Sequence, residues 1–187
     1  AMKATNQQKK LTEAIQIPDG VEAKIEGKTI TVKGKNGTIE KLFALRNVQM
    51  HKEGNKINIE VLSDVKKNKR IFYTIRSHVN NMLIGVQEGY TYKLKICSGH
   101  FPITVKIEGQ YITISNFLGE KIPRKSKILP NVNVKIDKDM ITVSSPDVES
   151  AGQTAANIEK ATGVGKRDRR VFQDGCYIIE KPGRVFI

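Results

Sequence analysis

Along the first half of the chain, apolar and polar residues alternate before the period lengthens. Val21, Ala23 and Ile25 interleave with Glu22, Lys24 and Glu26, the period of a half-buried strand. Gly27-Lys28 turns the chain, and Ile30 and Val32 mark a second strand that ends near Asn36-Gly37, a strong hairpin signal. Two further strands are expected over residues 38–43 and 56–62. Then Ile71, Ile75, Val79, Met82 or Leu83, and Val86 recur at three and four residues, the stripe of a helix that buries one face. Ser63 or Asp64 is placed to cap its start and Gly85 to end it. Ahead of the strands, residues 17–20 read as a turn, and residues 3–16 as a polar, frayed helix.

The pattern then repeats. Lys24-Ile25-Glu26-Gly27-Lys28-Thr29-Ile30-Thr31-Val32 recurs 82 residues later as Lys106-Ile107-Glu108-Gly109-Gln110-Tyr111-Ile112-Thr113-Ile114, and Gly37 meets Gly119 at the same offset. Looser echoes pair Ile57-Asn58-Ile59 with Ile141-Thr142-Val143, and Gly85-Val86 with Gly163-Val164. Two copies make a tandem duplication of one small domain, not a solenoid. In the second copy, residues 90–96 alternate as a linking strand. Strands are expected near 103–108, 110–115, 132–136 and 140–143, and a helix is expected from Ser145-Pro146-Asp147 to Gly163. Its stripe of Ala151, Ala155, Ile158 and Ala161 is small-sided, so it should lie close to its sheet.

The fold class expected is therefore α+β, a tandem duplication of a small, mostly antiparallel sheet with one helix packed on it. The divisions expected are an N-terminal extension over 1–14, a first repeat over 15–88, a second over 89–165 and a basic C-terminal tail over 166–187.

Charge changes the picture from fold to partner. The 187 residues hold 32 Lys and Arg against 19 Asp and Glu, a formal net charge of +13. So large an excess costs self-repulsion and suits a polyanionic partner. With no 18-residue apolar run, no signal-peptide pattern and no long basic amphipathic helix with exposed aromatics, nucleic acid is preferred to membrane. Cys97 and Cys176 are two lone cysteines, which suits the cytoplasm. The three histidines are scattered, so neither a metal nor another cofactor is expected.

The densest charge run is Lys166-Arg167-Asp168-Arg169-Arg170, leading into an ordered-looking turn and strand from Gln173 to Ile179. Arginine forks match phosphates, and a fixed scaffold lowers the entropy cost of that contact; a solvated tail is the plainer alternative. Just before it, Thr162-Gly163-Val164-Gly165-Lys166 has the look of a phosphate loop. It follows a helix instead of a strand, and Arg167 stands where a nucleotide loop needs Ser or Thr. Its glycine amides remain available to an RNA phosphate. Lys121, Arg124, Lys125 and Lys127 occupy a stretch with no acid from 121 to 136, either a solvated loop or a second phosphate-contacting one. The outer face of the first helix, from Lys66 to Arg76, is basic too and more simply a solvated face. His100, beside Gly99, suits stacking on RNA or capping a turn. With Asp168 it makes the only tempting pair for an RNA-processing enzyme, which nothing else supports. Trp is absent and aromatics make up only 6%, so recognition of folded RNA by shape and phosphate is expected.

The duplicated module, the segment Gly99-His100-Phe101-Pro102-Ile103 and the run from Arg167 to Tyr177 together resemble the ribosomal large-subunit protein six family in its archaeal and eukaryotic branch. The resemblance spans about Ile15 to Lys181. The bacterial branch's Lys-Gly-Lys-Gly tail and Ser-His-Pro segment are absent. What the resemblance implies is a structural, non-catalytic rRNA-binding protein of the ribosome. Its place would be at the base of the lateral stalk near the sarcin–ricin loop, beside neighbouring stalk-base proteins and the translation GTPases. It also implies rRNA contacts by Gly163, Gly165, Lys166, Arg167, Arg169 and Arg170, with Lys181 and Arg184 in the terminal part. The other reading of the charge is a protein–protein adaptor that docks an acidic partner and attracts RNA only non-specifically.

Overall fold

A computed structural model describes residues 11–43, 48–61, 65–165 and 167–185, which fall into two compact units divided between Glu88 and Gly89. In the first unit, β1 (Leu11–Gln16), β6 (Lys56–Val61) and β5 (Val48–Glu53) form one antiparallel sheet in the order β1-β6-β5. The strands β2 (Glu22–Glu26), β3 (Thr29–Gly34) and β4 (Gly37–Leu42) form a second, in the order β2-β3-β4. Helix α1 (Lys66–Gln87) closes both, burying Phe72, Ile75, Val79, Leu83 and Val86 against Ile30, Val32, Ile57 and Ile59.

The second unit is built the same way and then extended. Strands β8 (Thr104–Glu108), β9 (Tyr111–Ser115) and β10 (Arg124–Lys127) repeat the β2-β3-β4 sheet, and the turn glycines Gly27 and Gly109 share a left-handed φ of 62° and 61°. The larger sheet runs β11-β12-β7-β13-β14, from β7 (Tyr90–Cys97), β11 (Asn133–Asp137), β12 (Met140–Ser145), β13 (Gly175–Lys181) and β14 (Arg184–Val185). Its first three strands correspond to β5-β6-β1; among the described residues β13 and β14 have no counterpart in the first unit. Helix α2 (Val148–Ala161) covers Leu94, Ile141, Val143 and Cys176. Its small stripe packs close: a Cβ at Gly152 would sit 2.8 Å from the Tyr92 hydroxyl, so a larger residue there would push the tyrosine tip aside.

The α+β duplication stands as read, with local corrections. Residues 11–16 are a strand, not part of a helix. Glu13 breaks the apolar alternation there because its carboxylate faces inward to meet Arg76 at 2.9 Å. Gly85 does not end α1, which continues to Gln87. The Gly34–Asn36 turn receives its end, with the Asn36 amide on the Val86 carbonyl at 2.9 Å and its side chain on that of Gln87 at 3.1 Å. Ser63 and Asp64 lie outside the described residues. At α2 the cap is Asp147, which accepts from the amides of Glu149 and Ser150. Ser145 is instead a buried bridge that takes the Asp147 amide and donates to the Asn131 carbonyl. Gly119 lies in a short 3-10 turn (Phe117–Gly119), not in a strand like Gly37, so the exact repeat ends with β9.

Candidate nucleic-acid interface

The basic run connects the C-terminal end of α2 to β13, and both ends are fixed from within the unit. Thr162 donates its hydroxyl to the carbonyl of Glu159 and accepts the buried Cys176 amide at 2.9 Å; the Glu159 carboxylate accepts the Ile178 amide. These bonds tie the start of β13 to the C-terminal end of α2, so the loop from 163 to 174 leaves and returns at set points.

Arg124 closes one side. Its Nη1 donates to the carbonyls of Ala161 and Gly163 at 2.9 and 3.0 Å, placing a cation at the negative end of α2. Its Nε and Nη2 grip both Glu120 oxygens at 2.8 and 2.6 Å, and the guanidinium lies 4.2 Å from the centre of the Phe117 ring. The Arg124 hydrogen bond, the main cause, holds the Glu120 carboxyl below its ordinary value. With four of its donors so engaged, Arg124 positions the loop and is not free to grip a phosphate. The supposed loop around it is the strand β10, which turns Arg124 and Ser126 inward and Lys125 and Lys127 out to solvent. Such an alternation carries no apolar signal.

The other side is held by Asp174, only 1% exposed. One of its oxygens accepts the amides of Gly99 and His100 at 2.6 and 3.1 Å, and the other meets His100 Nδ1 at 2.7 Å. Burial, the largest influence, pushes this carboxyl up, but the donors from His100 and Gly99 outweigh it and hold the group below its ordinary value. The imidazole is stacked on Phe172, with centroids 4.9 Å apart and planes 26° apart, and the Arg167 guanidinium lies 4.9 Å from the centre of the same ring. A chain of contacts thus runs from a buried carboxylate through His100 and Phe172 to Arg167 at the surface. His100 pairs with Asp174, not with Asp168.

The remaining candidates separate by position. Asp168 accepts from the Arg170 amide and guanidinium at 2.9 to 3.2 Å; this hydrogen-bonded pair is open to water and holds the carboxyl down. Such a pair contributes little to stability and chiefly shapes the turn. Arg169 is exposed, and Gly165 is exposed with open space around it. The Gly163 amide is already spent on the Lys160 carbonyl. Lys166 lies outside the described residues. Lys181 and Arg184 face each other across the β13–β14 hairpin, at the far end of β13 from Gly175 and roughly 20 Å along the strand. Sequence reasoning missed Asp174, Phe172 as a stacking platform, Glu120 and Thr162. Only the juxtaposition of distant segments gives these residues a role.

Burial also separates the two thiols. Cys176 lies under α2, and desolvation pushes it up to about 11, while Cys97 is half-buried at the end of β7. Iodoacetamide at about pH 8 is expected to label Cys97 and spare Cys176 in the folded protein, and to label both after denaturation, as read by peptide mass spectrometry.

The chain is thus a scaffold of two like domains, one of which carries a loop of arginines fixed at both ends; among the described residues no three His, Cys, Asp or Glu are placed to hold a metal ion. The family model for ribosomal protein L6 matches the chain twice, over residues 17–89 and 101–175. Curated relatives named large ribosomal subunit protein uL6 include that of Sulfurisphaera tokodaii, 46% identical over 91% of this chain and 92% of its own length. Those of Methanobrevibacter smithii and Methanococcus vannielii are each 41% identical, over 91% and 94% of this chain and 96% of their own. The chain belongs to the ribosomal protein L6 family, in its archaeal type, and is not an enzyme.

Proposed function

We propose that this chain is a structural constituent of the large ribosomal subunit in the cytoplasm. On this reading it binds large-subunit rRNA near the sarcin–ricin loop and the stalk base, beside other ribosomal proteins, and supports the region where translation GTPases dock. Family membership supports the ribosomal part of this reading. The observation that carries the RNA part is the asymmetry between the two units. The second adds β13 and β14 to the shared plan, and with them an arginine loop held at both ends by hydrogen bonds. Preorganised guanidinium groups contact phosphates at a smaller ordering cost than a free tail. Arg167, Arg169, Arg170 and Gly165 form the centre of the proposed interface. Lys125 and Lys127 are outlying phosphate contacts, as are Lys181 and Arg184, with Lys166 within the same run. His100 serves by positioning Phe172.

The test is a salt titration of binding to an rRNA fragment containing the sarcin–ricin stem, with an unrelated structured RNA of equal length as control. Selective binding that persists at physiological salt is the expected result. Equal, salt-fragile binding to both would leave only non-specific attraction and favour the adaptor reading.

A further inference from the structure

The α2-covered face of the second unit's large sheet is its core; the opposite face is open. Register places Lys95 opposite Tyr177, and Cys97 opposite Gly175, on that open face. The loop carrying Ser98, Gly99 and His100 and the segment from Val171 to Asp174 border an open cleft of about 730 Å³ at its end. This is within the roughly 300–1,000 Å³ of small-ligand sites.

Four features give the cleft a chemistry. Tyr177 is 40% exposed, and its ring lies so close over Gly175 that an added Cβ would meet ring atoms at 3.2 Å; glycine here lets the ring lie down on the strand. Lys95 is exposed and supplies a cation on the open face, whereas the neighbouring Lys93 is neutralised by Glu180 at 2.8 Å. His100 has Nδ1 committed to Asp174, which leaves Nε2 for a ligand, and its side chain is 40% exposed. Gln173 adds an amide to the wall. Val171 and Gln173, which follow the arginine run directly along the chain, line the cleft, so the run leads into its wall.

An exposed aromatic, a neighbouring cation and groups that both donate and accept are the parts that hold an unstacked nucleotide. We propose that this cleft receives one unstacked nucleotide of the RNA gripped by the arginine loop. The base stacks on Tyr177 and is hydrogen-bonded by His100 Nε2 or the Gln173 amide, and its phosphate meets Lys95. The proposal rests on the RNA reading above and adds to it a single-nucleotide subsite, in place of recognition by shape and phosphate alone.

The test uses the full chain and the same rRNA fragment. Tyr177→Leu is expected to weaken binding about tenfold with an unchanged salt slope, because stacking releases no counterions. Tyr177→Phe should stay within about twofold of the parent. Lys95→Gln should lower the slope by about one unit. In a second arm, AMP, GMP, CMP and UMP are titrated by NMR, and shifts are expected at Tyr177, Gly175 and His100 and should vanish in Tyr177→Leu. If Tyr177→Leu binds like the parent while loss of the arginines still flattens the slope, the subsite falls and the RNA reading stands. If none of the four nucleotides moves the Tyr177 ring, the subsite falls as well. A parent that does not prefer the rRNA fragment overturns both.

Discussion

Replacing Arg167, Arg169 and Arg170 together by glutamine is expected to weaken binding to the rRNA fragment by about 100-fold at physiological salt, and to flatten its salt dependence by two to three units. Each phosphate contact releases close to one counterion, which at ~0.15 M salt is worth about fivefold in affinity. Taken singly, the three should not be equal. Arg167 is held over Phe172 at 4.9 Å, so its ordering cost is largely met by the fold. Arg170, 90% exposed, already shares its charge with Asp168, and RNA must compete for it. Arg170→Gln is therefore expected to cost least, and Arg167→Gln most. Filter binding or fluorescence anisotropy across a salt series reads both affinity and slope. An unchanged slope in the triple variant removes this loop from the interface.

What could be read from the chain alone follows a physical division. Strands such as β2, β3, β8 and β9 announce themselves because each buries one face and alternates accordingly, and the fixed offset between them marks the duplication in the sequence itself. The failures share a different cause. β1 has Glu13 facing inward, and β10 has Ser126 as its buried residue, so neither carries the apolar alternation that marks a strand. β1 takes its place from a partner far along the sequence, Val61 for Leu11, and β10 from its pairing with the preceding strand, Ile114 for Arg124. The basic run was legible as charge, but its scaffold was not. By sequence Arg124 is a candidate phosphate contact, but the fold commits it to the carbonyls of Ala161 and Gly163; Asp174, by sequence part of a turn, meets a loop 74 residues earlier. Composition reports which charges are available, whereas the fold decides which are free to meet a partner.

The same reasoning makes Asp174 the residue whose loss should matter most for stability. In Asp174→Ala the amides of Gly99 and His100 lose their acceptor and the imidazole loses its anchor, all at a position only 1% exposed. Leaving buried donors unpaired costs about 1–3 kcal/mol each. A loss of about 3 kcal/mol is expected once some water entry is allowed, confined to the second unit's unfolding transition in urea. The pH dependence gives a sharper check. The folded protein holds this carboxyl below its unfolded value of roughly 4, so its contribution is complete above that pH and is lost as pH falls through the lower folded value. The gap between parent and variant should thus be widest near neutrality and narrow in acid. A gap that widens in acid would mean that burial dominates and the hydrogen bonds do not hold the charge. Because Asp174 orients His100, His100 carries Phe172 and Phe172 steadies Arg167, the variant should also bind RNA several-fold more weakly without losing a single cation. Weaker binding at a preserved salt slope would separate this loss of preorganisation from the loss of charge in the arginine variants.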